Sequence, residues 1–418
     1  MIDTRGRPLR RNRRIKSQPR GTGAVREYRL GASRRLFRIT TFCPELVGPG
    51  PVHVYLIEDD ALILVDTGLP TLLAKNLFYL WRSQKMPRDV RELEDDLSER
   101  EILDGIELAG HRIEEIDFIV VTHGHPDHYL MGNWLVERSG ARVAAHVADS
   151  GAISNRWWML EFWIKRARAM AAMGMPLPVP GKPGAVHSGD RSSRKGSGSS
   201  SQLELDSLPL ALPVDLPLGY DGPLNLGGFL SPFIRVHHCP GHSAGSIGLL
   251  LSDDEGGGEA LLCGDTLLNP ITPHPEDLLV YLRTLKRLKT LKKVTLTLPA
   301  HGDPIPDLQE RIAFLQKHHR NRLRFTYQSC RKPTSVWQVA TRPRYFDTYV
   351  DPNKTNPLAA QEAFVHLELL RMVGAVSVDR VQDGVHYLVG SGEKFKAVYR
   401  RICEIVDDED ATALQRRW

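Results

Sequence analysis

The sequence predicts an α/β protein built as a four-layer αββα sandwich, followed by a C-terminal helical domain with a winged-helix-like hairpin. Two successive strand-rich halves, each followed by helical segments, predict the sandwich. The hairpin is predicted by Asp383 and Gly384, a strong turn pair that stands between the apolar runs 375–381 and 385–390.

The first half opens with three apolar runs separated by turn residues, RLFRITTF (35–42), VHVYLIED (52–59) and ALILVDTG (61–68). Runs of this kind indicate an antiparallel meander. The helical stretch LLAKNLFYLW and a charged segment come before IDFIVVTH, which has the composition of a buried strand. MGNWLVERSG and ARVAAHV then repeat helix and strand, which favours a sheet covered by helices.

The second half repeats the pattern with PFIRVHHCPGHS (232–243), SIGLLLSD (246–253) and EALLCGDTLL (259–268) as hairpin-linked strands. The helix PEDLLVYLRTLKRLKTL and the strand KVTLTLPAHG close this half. Between the halves, residues 151–222 combine an aromatic, basic helical stretch with a segment rich in Pro, Gly and Ser. They predict a helical insertion with a flexible linker.

We predict that the 418 residues divide into three regions: a basic disordered tail (1–27), a catalytic domain (28–306) and a winged-helix-like domain (307–418). Helical spacing over 307–330 and 358–374, the second ended by Gly374, supports the third region.

The composition excludes several classes of protein. With 41% apolar and 25% charged residues, the chain contains no run near the roughly 18 apolar residues of a membrane span, so no membrane partner is expected. The Arg-rich start lacks the apolar core of an export signal, and the cysteine pattern fits a reducing cytoplasm, so a cytoplasmic protein is expected; organelle targeting is the alternative. Five scattered cysteines without a CxxC pair indicate neither a disulfide framework nor a thiolate zinc site.

The sharpest motif is HGHPDH, which contains His123, His125, Asp127 and His128 at the end of a predicted strand. Three imidazoles and one carboxylate in six residues can direct different side chains at adjacent metal ions. The alternative, histidines that only cap strands, does not account for this density of ligand-type residues.

Three further ligand-type residues follow predicted strands: His242 in CPGHSAGS, Asp265 in LLCGDTLL and His301 in LPAHGDP. A lone His or Asp is usually an ordinary surface or turn residue, so each is weak by itself. Together with Asp66 in VDTG and with HGHPDH, however, their order resembles the motifs of the metallo-β-lactamase superfamily. The resemblance covers residues 30–306 apart from the insertion.

The resemblance implies a site for two metal ions. His123, His125 and His242 would hold one ion. Asp127, His128 and His301 would hold the second, Asp265 would bridge both, and Asp127 is the predicted catalytic residue. Asp66 would be a buried residue that orients the ligands by a hydrogen bond from behind. Imidazole and carboxylate ligands suit Zn²⁺, so two Zn²⁺ are expected, with iron or manganese as alternatives.

Two such metals can share a water and lower its pKa towards about 7, which generates a bridging hydroxide without a Ser or Cys nucleophile. The motifs resemble glyoxalase II-like hydrolases, which implies cleavage of an ester or thioester bond of a small molecule. The alternative is a single-strand endoribonuclease, because the C-terminal region resembles the winged-helix tail of lactamase-β-2-like proteins. A binding module without activity would be expected to lack some of the ligands.

A nucleic-acid partner is the less favoured prediction, and a homodimer is left open. The nucleic-acid prediction rests on two basic clusters, one at Arg283, Lys286, Arg287, Lys289, Lys292 and Lys293, the other at Lys317, Arg320, Arg322, Arg324, Arg331 and Lys332. Solvated helix faces are the favoured explanation of both clusters, so a small-molecule substrate ranks first.

Overall fold

A computed structural model describes residues 25–31, 34–43, 49–82, 88–157, 169–176, 210–219, 221–253 and 257–408. The predicted tail up to residue 24, and 158–168 and 177–209 of the predicted insertion and linker, lie outside the described residues. Within these ranges no helix has the length and apolar character needed to cross a membrane.

The first sheet contains seven strands in chain order: β1 (Val25–Leu30), β2 (Arg34–Thr41), β3 (Val52–Glu58), β4 (Leu62–Val65), β5 (Phe118–Val121), β6 (Arg142–His146) and β7 (Leu216–Leu218). The first four strands form an antiparallel meander, and the last four run parallel. The predicted meander is therefore confirmed. Strand β1 includes residues 25–27 of the predicted tail, and β7 lies within the predicted linker, because both pair in register with a neighbouring strand.

Helices of the first half cover the outer face of this sheet. They are α1 (Thr71–Arg82), α2 (Arg88–Arg91), α3 (Leu97–Leu108), α4 (Pro126–Tyr129), α5 (Gly132–Ser139) and α6 (Val147–Ile153), with a 3-10 turn at Ile113–Glu115. The charged segment forms α3, whose buried Ile102 and Ile106 join the same apolar cluster as Phe37 and Ile39 of β2. Close packing here depends on Gly105, where a Cβ would lie 2.3 Å from the Ile39 side chain.

The second sheet has the order β12-β11-β10-β9-β8. Its strands are β8 (Gly222–Leu226), β9 (Phe229–His238), β10 (Ile247–Ser252), β11 (Glu259–Leu262) and β12 (Val294–Leu298), and helix α7 (Leu278–Leu288) joins the last two. Asp277 caps α7 by accepting a hydrogen bond from the Val280 amide.

Successive side chains along each strand point to opposite faces of its sheet, and this alternation produces the four layers. In β10, Leu249 and Leu251 face the first sheet, whereas Leu250 packs with the helices on the other side. β3 shows the same period, with Ile57 between the sheets and Leu56 against the helices. Each fully buried Leu or Ile side chain stabilises the fold by about 1.5–3 kcal/mol relative to an exposed one. The four-layer αββα prediction is confirmed.

The C-terminal region contains α8 (Leu308–Ser329), β13 (Thr334–Ser335), α9 (Val336–Ala340), α10 (Pro357–Met372), β14 (Val376–Gln382), β15 (Val385–Gly390) and α11 (Phe395–Asp407). Asp383 and Gly384, with φ of 51° and 76°, make the predicted hairpin turn between β14 and β15. One continuous apolar cluster joins these helices to the outer face of the second sheet, so the C-terminal region packs directly on the sandwich.

Candidate functional site

The predicted ligands meet at one end of the two sheets. His123 follows β5, Asp265 follows β11 and His301 follows β12, while His242 lies in the loop between β9 and β10. The two sheets join here, because the His53 amide donates a hydrogen bond to the Ala300 carbonyl at 2.7 Å. The fold therefore brings together residues that are up to 178 positions apart, from 123 to 301.

Three imidazoles form the first group. His125 Nδ1 lies 3.0 Å from His123 Nε2 and 2.9 Å from His242 Nε2. The Nε2 atoms of His123 and His242 are 3.2 Å apart. Ligands around one tetrahedral zinc at about 2.0–2.1 Å would be roughly 3.3 Å apart. These three nitrogens are thus close enough to share one ion.

Asp127, His128 and His301 form the second group. Asp127 carboxylate oxygens lie 3.3 Å from His301 Nε2 and 3.7 Å from His128 Nε2. Asp265 stands between the groups: its Oδ2 is 3.7 Å from His128 Nε2 and 3.6 Å from His242 Nε2, and its Oδ1 is 3.7 Å from His301 Nε2. This position is the one expected of a bridging ligand.

Several atoms of the site are buried without a hydrogen-bond partner, namely His128 Nε2, His301 Nε2 and Asp265 Oδ1. Leaving a buried polar atom unpaired costs about 1–3 kcal/mol, and such atoms in a native fold require an explanation. They belong to two imidazoles and a carboxylate grouped at ligand spacing, so the donor set fits divalent metal ions.

The opposite ring nitrogens are held by the protein. His128 Nδ1 contacts Asp66 Oδ2 at 2.9 Å, and His301 Nδ1 contacts the Pro51 carbonyl at 2.9 Å. Asp66 also accepts hydrogen bonds from the Thr122 amide and hydroxyl, at 2.7 and 2.8 Å. Asp66 is buried and stays outside both ligand groups, and its contact directs His128 Nε2 into the cluster.

The two groups differ in electrostatics. Burial lowers the pKa of His242 to about 3, and burial together with neighbouring histidines holds the pKa of His123 well below its usual value. Burial also opposes protonation of His128, but Asp127 and Asp66 outweigh it and raise the pKa of this histidine well above its usual value. His123 and His242 are thus neutral, whereas the second group already contains carboxylates that attract a cation.

Asp149 and Glu276 belong to the site although neither was predicted. Buried Asp149 accepts hydrogen bonds from the amides of Gly124 (2.9 Å) and Gly245 (2.8 Å), and so ties the HGHPDH loop to the His242 loop. Glu276 Oε1 lies 3.8 Å from His125 Nε2. The position of Asp149 shortly after β6 was a usable signal, because side chains beyond the carboxyl ends of parallel strands gather at one edge. Nothing comparable marks Glu276.

This fold and site define a class of metal-dependent hydrolases, and comparison with known proteins identifies the family. Residues 47–301, more than half of the chain, match the family model of the metallo-β-lactamase superfamily. The chain therefore belongs to the metallo-β-lactamase superfamily and is a hydrolase of that superfamily.

Individual relatives agree with this assignment. The chain is 26% identical to "Probable metallo-hydrolase YqjP" of Bacillus subtilis, in a match that covers 78% of this chain and 90% of the relative. A shorter match, 35% identical over 79 residues, covers 19% of this chain and 24% of the atrochrysone carboxyl ACP thioesterase AgnL7 of Paecilomyces divaricatus.

Solved structures share the fold. The metallo-β-lactamase family protein TTHA1429 of Thermus thermophilus superposes with a TM-score of 0.60 at 22% identity, covering 85% of this chain and 98% of its own. A β-lactamase domain protein of Burkholderia ambifaria gives the same TM-score and identity, covering 90% and 98%.

Proposed function

We propose that the protein is a dinuclear metal-dependent hydrolase that cleaves an ester or thioester bond of a small molecule. The observation that carries the proposal is the meeting of seven ligand-type side chains in overlapping groups at ligand spacing, with Asp265 3.6–3.7 Å from His128, His242 and His301. Seven ligands are too many for one tetrahedral ion. Zinc is the proposed metal, because the donor set is mainly imidazole with carboxylate.

The residues have separate tasks in this proposal. When bound, the ions would supply the Lewis acidity that activates a water and polarises the carbonyl oxygen of the ester or thioester. Asp265 would hold the ions at a fixed separation, and Asp66 would fix the ring of His128. Asp127 would bind the second ion and accept hydrogen bonds at the reacting water.

The bond type is proposed from the motifs and from one partial match. The arrangement HxHxDH followed by GDT resembles glyoxalase II-like hydrolases, and the matched segment of AgnL7 belongs to a protein named as a thioesterase. We also propose that the predicted catalytic domain, extended at its start to include all of β1 from Val25, ends at residue 306, and that 307–418 form a winged-helix-like domain.

The test is a substrate screen of the full-length protein loaded with zinc, using an S-acyl thioester, an aryl ester, a lactone and a single-stranded RNA. We expect turnover of the thioester or ester. Asp127→Asn should abolish it, whereas Asp347→Asn, the same change at an exposed C-terminal residue, should retain it. Equal activity in both variants, or zinc content near zero in the wild-type protein, would disprove the proposal.

Ribonuclease activity is the second candidate, favoured by exposed Arg320 and Arg324 on α8. The first basic cluster supports it less than the sequence suggested. Arg283 donates hydrogen bonds to the Ile405 carbonyl at 2.8 Å, and Lys286 pairs with Asp407 at 2.8 Å. These side chains hold α11 against α7.

A further inference from the structure

A second polar cluster lies under the site, between the sandwich and the C-terminal helices. At its centre is Glu362 of α10, whose side chain is 3% exposed. Four side chains surround its carboxylate: His274 at 3.4 Å, and His318, Arg322 and His366 at 3.8 Å. We call these five residues the Glu362 cluster.

The cluster is balanced in charge without a metal. Burial opposes ionisation of Glu362, but His366 and the contacts from His274 and His318 hold its pKa well below its usual range. Its negative charge faces the Arg322 guanidinium, which stacks on the rings of Tyr345 and Phe346. His318, His319 and Glu362 are close enough to hold an ion, but a dication beside Arg322 would leave excess buried charge. The contacts of Glu362 with His274, His318 and Arg322 instead join the 270–277 loop and α8 to α10.

One of these segments leads directly to the metal site. His274 lies in the loop before α7, and two residues later Glu276 approaches His125 Nε2. The amides of Glu276 and Asp277 both donate to the Gly241 carbonyl, at 2.7 and 3.0 Å, immediately before His242. The 270–277 loop therefore contacts His125 directly, through Glu276, and contacts Gly241, the residue before His242.

A second connection runs through Tyr281 of α7. A Cβ on Gly241 would lie 2.4 Å from the Tyr281 Cα, so the backbone of α7 is in close contact with the His242 loop. The ring of Tyr281 packs edge-on against His319, with centroids 5.5 Å apart, and His319 Nδ1 contacts His366 Nε2 at 3.2 Å.

We propose that Glu362 is a positioning residue for the metal group formed by His123, His125 and His242. By fixing His274 it holds the 270–277 loop, and that loop holds His125 through Glu276 and His242 through the Gly241 carbonyl. The proposal rests on the dinuclear site proposed above. Loss of a group that orients a ligand typically weakens metal binding by about 10- to 100-fold.

The experiment measures the zinc affinities of the full-length protein by competition with a chelator of known affinity. In Glu362→Gln we expect one of two affinities to fall by about 10- to 100-fold while the other is unchanged. Glu368→Gln is the matched control, because Glu368 is a similarly buried glutamate of α10 that pairs with Arg371 outside the cluster. His274→Gln, a milder change at a partly exposed side chain, should act in the same direction and replaces Glu362→Gln if that variant does not fold.

A double-mutant cycle tests whether the effect passes through the loop. Glu276→Gln and Glu362→Gln should together weaken zinc binding by clearly less than the product of their separate effects. Additive effects, equal weakening of both affinities or an equal effect of Glu368→Gln would overturn the proposal. A third zinc that is lost in Glu362→Gln would overturn it in favour of a separate metal site. A wild-type protein that binds no zinc would instead refute the proposed function.

Discussion

At the scale of single residues, each histidine presents one particular ring nitrogen to the candidate metal site. His125 presents Nδ1, whereas His123, His128, His242 and His301 present Nε2. The choice for His128 and His301 follows from acceptors at Nδ1, Asp66 and the Pro51 carbonyl. The site is therefore arranged by contacts behind the ligands as much as by the ligands themselves.

Asp66→Asn tests this arrangement. Asparagine is close in shape, but it lacks the charge that favours a protonated His128 Nδ1, so we expect the affinity for one zinc to fall by about 10- to 100-fold. Chelator competition measures the effect, and Asp104→Asn at an exposed residue of α3 provides the control. Unchanged affinity in Asp66→Asn would show that the contact does not orient His128.

At the scale of elements, helix α3 shows how one buried carboxyl group makes the stability of the fold depend on pH. Glu101 of α3 is 7% exposed and accepts a hydrogen bond from the Phe42 amide at 2.7 Å. Burial is the main cause that raises the pKa of Glu101 to about 7, well above the value of 4.5 expected in the unfolded chain. Stability from this group is therefore fully present below about pH 4.5 and is lost as the pH rises through about 7.

Glu101→Gln should remove this dependence. The amide oxygen can still accept the Phe42 hydrogen bond, while no charge can form at position 101. We expect the wild type to lose stability relative to the variant as the pH rises from 5 to 8. The difference in free energy of unfolding, variant minus wild type, should therefore increase over this range, as measured by urea unfolding. Glu107→Gln, at an exposed position of the same helix, should show no such gain. A constant difference between Glu101→Gln and the wild type would contradict the prediction.

The contact between α7 and the His242 loop depends on a glycine. Gly241 has a φ of 124°, and a Cβ there would overlap the Tyr281 backbone. Gly228→Ala is a matched control, because Gly228 has a φ of 113° with no atom within 4 Å of an added Cβ. We expect Gly241→Ala to destabilise the fold by about 1–3 kcal/mol more than Gly228→Ala in urea unfolding. Equal losses would mean that the loop moves freely away from α7.

For the whole molecule, the sequence predicted the structure best where ligand-type residues directly follow a run with the apolar pattern of a strand. HGHPDH follows a strongly apolar strand, so both the position of β5 and its ligands could be predicted. Strands β7 and β8 were missed because LPL and GPLNL are short and contain Pro or Gly, which disfavour strands in isolation. Helix α11 was missed although Val398 and Ile402 have helical spacing. The contact of Glu276 with His125 depends on a loop that returns across about 150 residues, and no local pattern records it.

The two candidate functions make different demands on the surface of the whole molecule. A small substrate needs only the metal site, whereas RNA would also need phosphate contacts from exposed cations. Arg322 of the second basic cluster is not available for this role, because it lies against Glu362 and two aromatic rings. The other members of this cluster are exposed: Lys317, Arg320, Arg324, Arg331 and Lys332.

Replacing Arg320, Arg324 and Lys332 together by glutamine therefore separates the functions. We expect the rate on a small ester or thioester to stay within about twofold of wild type, because the changes lie outside the ligand groups and cost only about 0.5–1 kcal/mol of stability for each lost ring contact. A ribonuclease would instead lose RNA affinity, and the slope of log affinity against log salt concentration would fall by about 0.7 per lost contact with a single strand. Filter binding at several salt concentrations, beside the hydrolysis assay, measures both quantities. A large, salt-dependent loss of RNA cleavage with unchanged small-substrate turnover would show that α8 is a nucleic-acid surface and would move the second function ahead of the first.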